Sequence, residues 1–188
     1  MSTNKIALVT GGSRGLGKNM ALKIAEKGLD VIITYHNNKD AALEVVSEIE
    51  KLGNKGVAFQ LDTTNTASFK AFFEKIAAYL KENYDSGTLD YLVNNAGTGI
   101  YKPFLETTES DFDEMMNIHI KGVYFLSQQA APLLSDGGGI INISSGLVRF
   151  SLPGSSAYAS MKGAVDVFTR YLAKELSNRK IRANVVAP

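Results

Sequence analysis

Short apolar runs rich in β-branched residues alternate along this chain with longer stretches of helical periodicity. Such alternation is the pattern of a parallel sheet covered by helices. Strands are expected at 5–10, 30–35, 57–61, 89–94, 139–145 and 181–187. Most are unbroken apolar runs, such as Ile6, Ala7, Leu8 and Val9, as strands buried on both faces require. Ala42, Val45, Ile49 and Leu52 keep helical spacing, as do Val165, Phe168, Leu172 and Leu176, and these stripes are core. Lys39, Asp40 and Glu44, and likewise Lys174, Glu175 and Lys180, read as solvated faces. The cluster Gly137, Gly138 and Gly139 reads as a loop between helix and sheet. Without an internal repeat or linker, the 188 residues are expected to form one domain spanning 1–188.

Composition narrows the function. A formal charge of +1 gives no electrostatic case for nucleic acid or an anionic membrane, which leaves a small molecule as the expected partner. Zero cysteines and two histidines argue against disulfide frameworks, thiolate nucleophiles and Cys-rich metal sites, and no metal is expected. The start, MSTNKIALVT, lacks a charged segment followed by a long apolar run, and the expected location is cytoplasmic.

After the first strand comes Thr10-Gly11-Gly12-Ser13-Arg14-Gly15-Leu16-Gly17, followed by a helix-favouring stretch that stops at Gly28. A strand, a glycine turn and a helix start bring backbone N–H groups together where the helix dipole favours phosphate. The spacing is GxxxGxG rather than GxGxxG, so a plain glycine turn packing a helix stands beside nucleotide binding as an alternative. An acid at the end of the second strand would bind the ribose 2′-OH of NAD. Here stand Thr34, Tyr35, His36, Asn37 and Asn38, none acidic, with Arg14 or Lys39 able to supply positive charge. NADP(H) is therefore favoured over NAD(H), and His36 either contacts the 2′-phosphate or sits on a polar loop.

Further motifs follow in order: Asp62 after the third strand, NNAG at 94–97, ISS at 143–145 and YASMK at 158–162. With TGGSRGLG they make the chain resemble the short-chain dehydrogenase/reductase family, of the NADP-preferring type, over essentially its whole length. The resemblance implies an α/β, Rossmann-type doubly wound parallel sheet of strand order 3-2-1-4-5-6. It implies cofactor contacts from Gly11, Ser13, Arg14, Gly15, Leu16, Gly17, Tyr35, His36, Asp62, Thr63, Asn94, Ala96, Gly97, Tyr158 and Lys162. Asp62 would face the adenine, with a turn or helix-cap role as its alternative. Ser145, Tyr158 and Lys162 would be catalytic, in a homodimer or homotetramer paired through helices near 108–135 and 157–179.

Two departures from the family pattern stand out. His119 falls where the family usually has an asparagine, with Asn117 two positions earlier. Its imidazole is expected either to hold a water or backbone link behind Lys162 as part of the catalytic set, or to be an internal histidine in line with Phe112, Met116 and Val123. The family also usually runs on beyond this point, so the chain is expected to be C-terminally truncated and to lack the family's last strand.

The chemistry follows from the residue types. An ordinary Tyr titrates near pH 10, so a phenolate near pH 7 needs about 4 kcal/mol of preferential stabilisation. One cation about 4 Å away at an effective dielectric near 20 supplies about that much. Tyr158 and Lys162 are four apart in a helical segment, one turn from each other on one face. Ser145, preferred over Ser144 by family spacing, can donate to a substrate oxygen as charge grows there. Neither serine lies in G-x-S-x-G, which disfavours hydrolase chemistry. The expected function is hydride transfer between NADP(H) and a carbonyl or secondary alcohol, with Tyr158 as acid/base. A 3-oxoacyl thioester (acyl-carrier-protein) reductase and a non-catalytic NADP(H)-binding regulator are the alternatives. Tyr101, Phe150 and Leu152 suggest an apolar pocket.

Overall fold

Apolar runs with no polar face become central strands: every residue of β1 (Ile6–Val9) and β2 (Asp30–Tyr35) is buried. The computed structural model describes residues 4–188, so the first three residues of the expected 1–188 unit lie outside the described residues. Further strands are β3 (Gly56–Gln60), β4 (Leu89–Asn94), β5 (Leu134–Ile143) and β6 (Arg182–Val186). All pairings are parallel, in the order β3-β2-β1-β4-β5-β6. The helices are α1 (Gly15–Ala25), α2 (Lys39–Lys51), α3 (Phe69–Asn83), α4 (Glu109–Met116), α5 (Gly122–Ala130) and α6 (Ser156–Glu175).

Successive strand residues point to opposite faces, which divides the core in two. Val9, Val31 and Ile33 meet Ala21 and Ala25 of α1 and Ala42, Val45 and Ile49 of α2. Leu8, Ile32, Leu92 and Ile140 meet Phe69, Phe72, Phe73, Ile76 and Leu80 of α3, Leu126 of α5 and Leu172 of α6. Among the described residues no helix is long and apolar enough to cross a membrane.

Three expectations need correction. The glycine run is not a loop: β5 begins at Leu134 and carries Gly137 at φ +80°, and its register against β4 shifts between Leu89 and Tyr91. Glycines there allow a bulge inside the strand. Leu52 is not core, because α2 ends at Lys51 and leaves it 45% exposed. The line Phe112, Met116, His119, Val123 holds only in part, since Phe112 is exposed. A π turn over Asn117–Lys121 separates α4 from α5, and the widened turn re-aims the residues. Met115, His119, Val123 and Leu126 turn inward while Phe112 is exposed.

Candidate active site

The turns after β1 and β4 meet where the strand order reverses, the usual place for a ligand crevice in an open parallel sheet. Thr10 Oγ1 accepts from the backbone N–H groups of Asn95 and Ala96, at 3.0 Å each. Asn95 Nδ2 donates back to the carbonyls of Thr10 (2.9 Å) and Gly11 (3.3 Å). Gly11 stands at φ +64° and donates its N–H to Thr34 Oγ1 at 3.1 Å. A Cβ at Gly17 would run into the Gly11 carbonyl and the Asn95 amide, so only glycine lets α1 start this close to the turn. The first turn of α1 has no side-chain cap and no acidic residue. Its N–H groups are therefore available to an anion. Ser13 is half-buried beside them, and Arg14, Gly15 and Leu16 are exposed.

At the far end of the crevice, His36 and Asn37 are exposed after β2, while Asn38 accepts from Ala41 N–H to cap α2. Tyr35 differs from expectation: its ring packs in the core with the residues under α1 and α2. Asp62 makes a turn, accepting from the Thr64 N–H (2.9 Å) and hydroxyl (2.7 Å), with His36 Nε2 3.8 Å from its second oxygen. Burial works to raise this carboxyl, but the Thr64 bonds and His36 hold it below its usual value. Thr63 is half-buried next to it.

Asn94 is 4% exposed and donates through Nδ2 to Ser127 Oγ (2.9 Å) and Asn142 Oδ1 (2.8 Å). Asn142 passes the chain on to Thr169 Oγ1 of α6 at 2.9 Å. This buried line ties β4, β5, α5 and α6 together, so Asn94 braces the sheet while Ala96 and Gly97 continue along the crevice. Asn142 and Thr169 were not picked out from the sequence, and Thr10, Thr34 and Asn95 stood inside quoted motifs without this bracing role. For Asn142 and Thr34 the usable signal was a polar residue inside an otherwise apolar strand; Thr169, on α6, carried none.

α6 brings Tyr158 and Lys162 to the end of β5. Ser144 is buried and donates to the Lys162 carbonyl at 3.3 Å. Ser145 is the serine whose side chain works to lower the Tyr158 phenol, and its oxygen accepts from Leu147 N–H at 3.2 Å. Lys162 is 5% exposed, donates from Nζ to the Ile143 carbonyl at 2.8 Å and lies 5.6 Å from the centre of the Tyr158 ring. Burial lowers its ammonium to about 8, against an upward pull from Asp166. The expected lowering of Tyr158 is not what these residues produce. Burial, then neighbouring Tyr101, push the phenol above 10, and Ser145 only partly offsets them. The ammonium is engaged with a carbonyl, and desolvation wins.

His119 lies against Tyr158, with ring centres 5.1 Å apart at 86°, and its Nε2 is 2.7 Å from the Thr98 carbonyl oxygen. Asn117 is half-buried at the start of the π turn. Tyr101, 63% exposed, tilts against Tyr158 at 5.9 Å. Beside it opens a cleft of about 670 Å³ lined by Tyr101, Phe104, Leu147, Phe150, Leu152 and Ala159 among others. Its two loops are joined by the Lys102 N–H to Gly154 carbonyl bond at 3.0 Å. Lys102 also pairs with Asp111 at 2.8 Å.

Known proteins are similar to this chain in sequence and fold. The short chain dehydrogenase family model matches residues 5–188. A hydroxynaphthalene reductase-like protein Arp2 of Metarhizium brunneum is 38% identical over 185 residues, spanning 98% of this chain and 67% of that protein. The hydroxynaphthalene reductase arp2 of Aspergillus fumigatus is 34% identical over 186 residues, 99% of this chain and 66% of its own length. Among solved structures, the landomycin C-6 ketoreductase LanV with bound NADP and rabelomycin superposes with a TM-score of 0.94 at 38% identity, covering 99% of this chain and 76% of LanV. A short chain dehydrogenase from Burkholderia cenocepacia in complex with NADP gives 0.91 at 37% identity, covering 98% and 73%. With its sheet order, glycine turn and Ser–Tyr–Lys grouping in place, the chain belongs to the short-chain dehydrogenase/reductase family of oxidoreductases.

Proposed function

We propose that this enzyme reduces a ketone or aldehyde carbonyl with NADP(H), Tyr158 giving the proton, and that it works as a homodimer or homotetramer. The observation that carries the proposal is the meeting of Ser145, Tyr158 and Lys162 at the end of β5, on the same crevice as the uncapped start of α1.

The residues fit a nicotinamide dinucleotide. The uncapped N–H groups of α1 suit its pyrophosphate, and the absence of a carboxylate along Thr34–Asn38 suits a 2′-phosphate, with Arg14 and His36 both exposed. When bound, the reduced cofactor supplies a hydride. The Ser145 oxygen already accepts from Leu147, which leaves its O–H to donate to the substrate oxygen. Tyr158, kept protonated at neutral pH by burial, gives its proton to that oxygen as the C–H bond forms, and takes one back from solvent. Lys162, cationic below about 8, stands by the ring to stabilise the transient phenolate.

The cleft wall of Tyr101, Phe104, Phe150 and Leu152 favours an apolar substrate. Relatives named for hydroxynaphthalene reduction and for C-6 ketoreduction support a flat aromatic ketone as the first class to try. Association is supported by the exposed rings of Tyr124, Phe125 and Tyr171 on α5 and α6. The test is loss of NADPH absorbance across a panel of aromatic and aliphatic ketones, repeated with NADH. Turnover with NADPH in excess over NADH is expected; binding of NADPH with no oxidation by any carbonyl compound would refute the proposal.

A further inference from the structure

His119 is 2% exposed, yet it is an ionisable side chain in the middle of the reaction site. A carbonyl oxygen can only accept, so the 2.7 Å approach to Thr98 places the ring proton on Nε2. Nδ1 is then an acceptor, buried and with no hydrogen-bond partner among the described residues. A neutral imidazole tolerates that arrangement. An imidazolium would bury an unpaired N–H and a second positive charge beside Lys162.

The ring also shapes its neighbours. A Cβ at Gly97 would fall 2.7 Å from His119 Cε1, so the crevice loop follows the imidazole closely. Thr98, which the imidazole tethers, leads to Tyr101, whose ring leans on Tyr158. The imidazole thus grips the reacting phenol twice, directly through the ring and indirectly through residues 98–101. The ionisable groups facing it are Lys162 and Tyr158 from α6, with Asp166 behind Lys162, and Tyr101 from the loop; Lys121 on its own turn is exposed. Burial, then Lys162, depress the imidazole to about 4, and the Thr98 bond only partly opposes them.

We propose that His119, as the neutral Nε2-protonated imidazole, is a positioning residue that fixes the Tyr158 ring and the 98–101 backbone relative to each other. This rests on the role proposed above for Tyr158. Three variants and one spectrum test it. In His119→Phe the ring is kept and the tether lost, and kcat should fall about tenfold or more while KM and the NADPH Kd stay within about threefold. In His119→Gln an amide N–H can reach Thr98, and kcat should return to within about threefold of the unsubstituted enzyme. Full kcat in the Phe variant, or a Gln variant as slow as the Phe variant, would overturn the proposal. Should the Phe variant fail to fold, nitrogen-15 NMR of the histidine-labelled enzyme still decides. The protein has two histidines, and His36→Asn assigns them. An Nε2–H tautomer still neutral at pH 6 is expected; an Nδ1–H tautomer or a charged ring there would refute it. Tyr158→Phe measured alongside separates the two claims: if it is fully active, the Tyr158 role itself fails, whereas an inactive Tyr158→Phe with a normal His119→Phe removes only this inference.

Discussion

Acid should weaken this fold through one side chain in particular. Burial, then Lys162, hold the His119 imidazole down at about 4 in the folded chain. An unfolded histidine titrates near 6.5. Between those values the unfolded chain binds the proton and the folded chain does not, so stability rises with pH across the window and is lost as pH falls through it. At about 1.4 kcal/mol per pH unit the loss from pH 7 to pH 4 is about 3 kcal/mol. That is a large share of the roughly 5–15 kcal/mol that holds a typical domain together. Lowered carboxyls such as Asp62 lose their contribution mainly below pH 4 and are common to any variant. Urea unfolding of the natural chain and of His119→Gln at intervals from pH 7 to pH 4 isolates the term. The difference between the two should narrow or reverse by about 3 kcal/mol over that range. Parallel curves would show that the imidazole is not held neutral by burial, and would refute the reasoning.

Other predictions concern the cofactor turn, the brace and the reacting groups. Arg14→Glu should raise the KM for NADPH about tenfold or more and leave that for NADH nearly unchanged, in steady-state assays with both cofactors. Gly17→Ala should weaken NADPH binding about tenfold or more by fluorescence titration, because the added methyl meets the Gly11 carbonyl and Asn95 amide. Asn142→Ala removes one acceptor from the Asn94 amide, which keeps Ser127, and the donor to the Thr169 hydroxyl, which keeps the Val165 carbonyl; a cost of about 2 kcal/mol should lower Tm by about 4–8 °C in calorimetry. The kcat/KM for reduction should hold level below pH 8 and decline above it, since Lys162 keeps its charge below about 8 and loses it above.

The sheet was legible because its strands are apolar on both faces. A run such as Asp30–Tyr35 can be buried on both sides only between covering helices, and it is. The phosphate turn was legible for a similar reason, since glycines at 11 and 17 meet a steric demand that no other residue satisfies. Less visible was anything set by a one-residue change of register. The π turn at Asn117–Lys121 has no composition of its own, and beside it Met115 faces inward while Phe112 is exposed. The early start of β5 was hidden because a bulged strand and a loop use the same glycines. Motif and spacing named Tyr158 and Lys162, but not the balance of fields on them. Whether an ammonium faces a phenol or a main-chain carbonyl is decided by three-dimensional packing, and here Ile143 takes the hydrogen bond.

The proton of Tyr158 is the centre of the mechanism. Single-turnover oxidation of bound NADPH by a ketone substrate, compared in the natural enzyme and Tyr158→Phe, tests it most directly. Removing only the hydroxyl should slow hydride transfer about a hundredfold or more with NADPH affinity preserved. Transfer at the natural rate in that variant would mean that the proton comes from elsewhere.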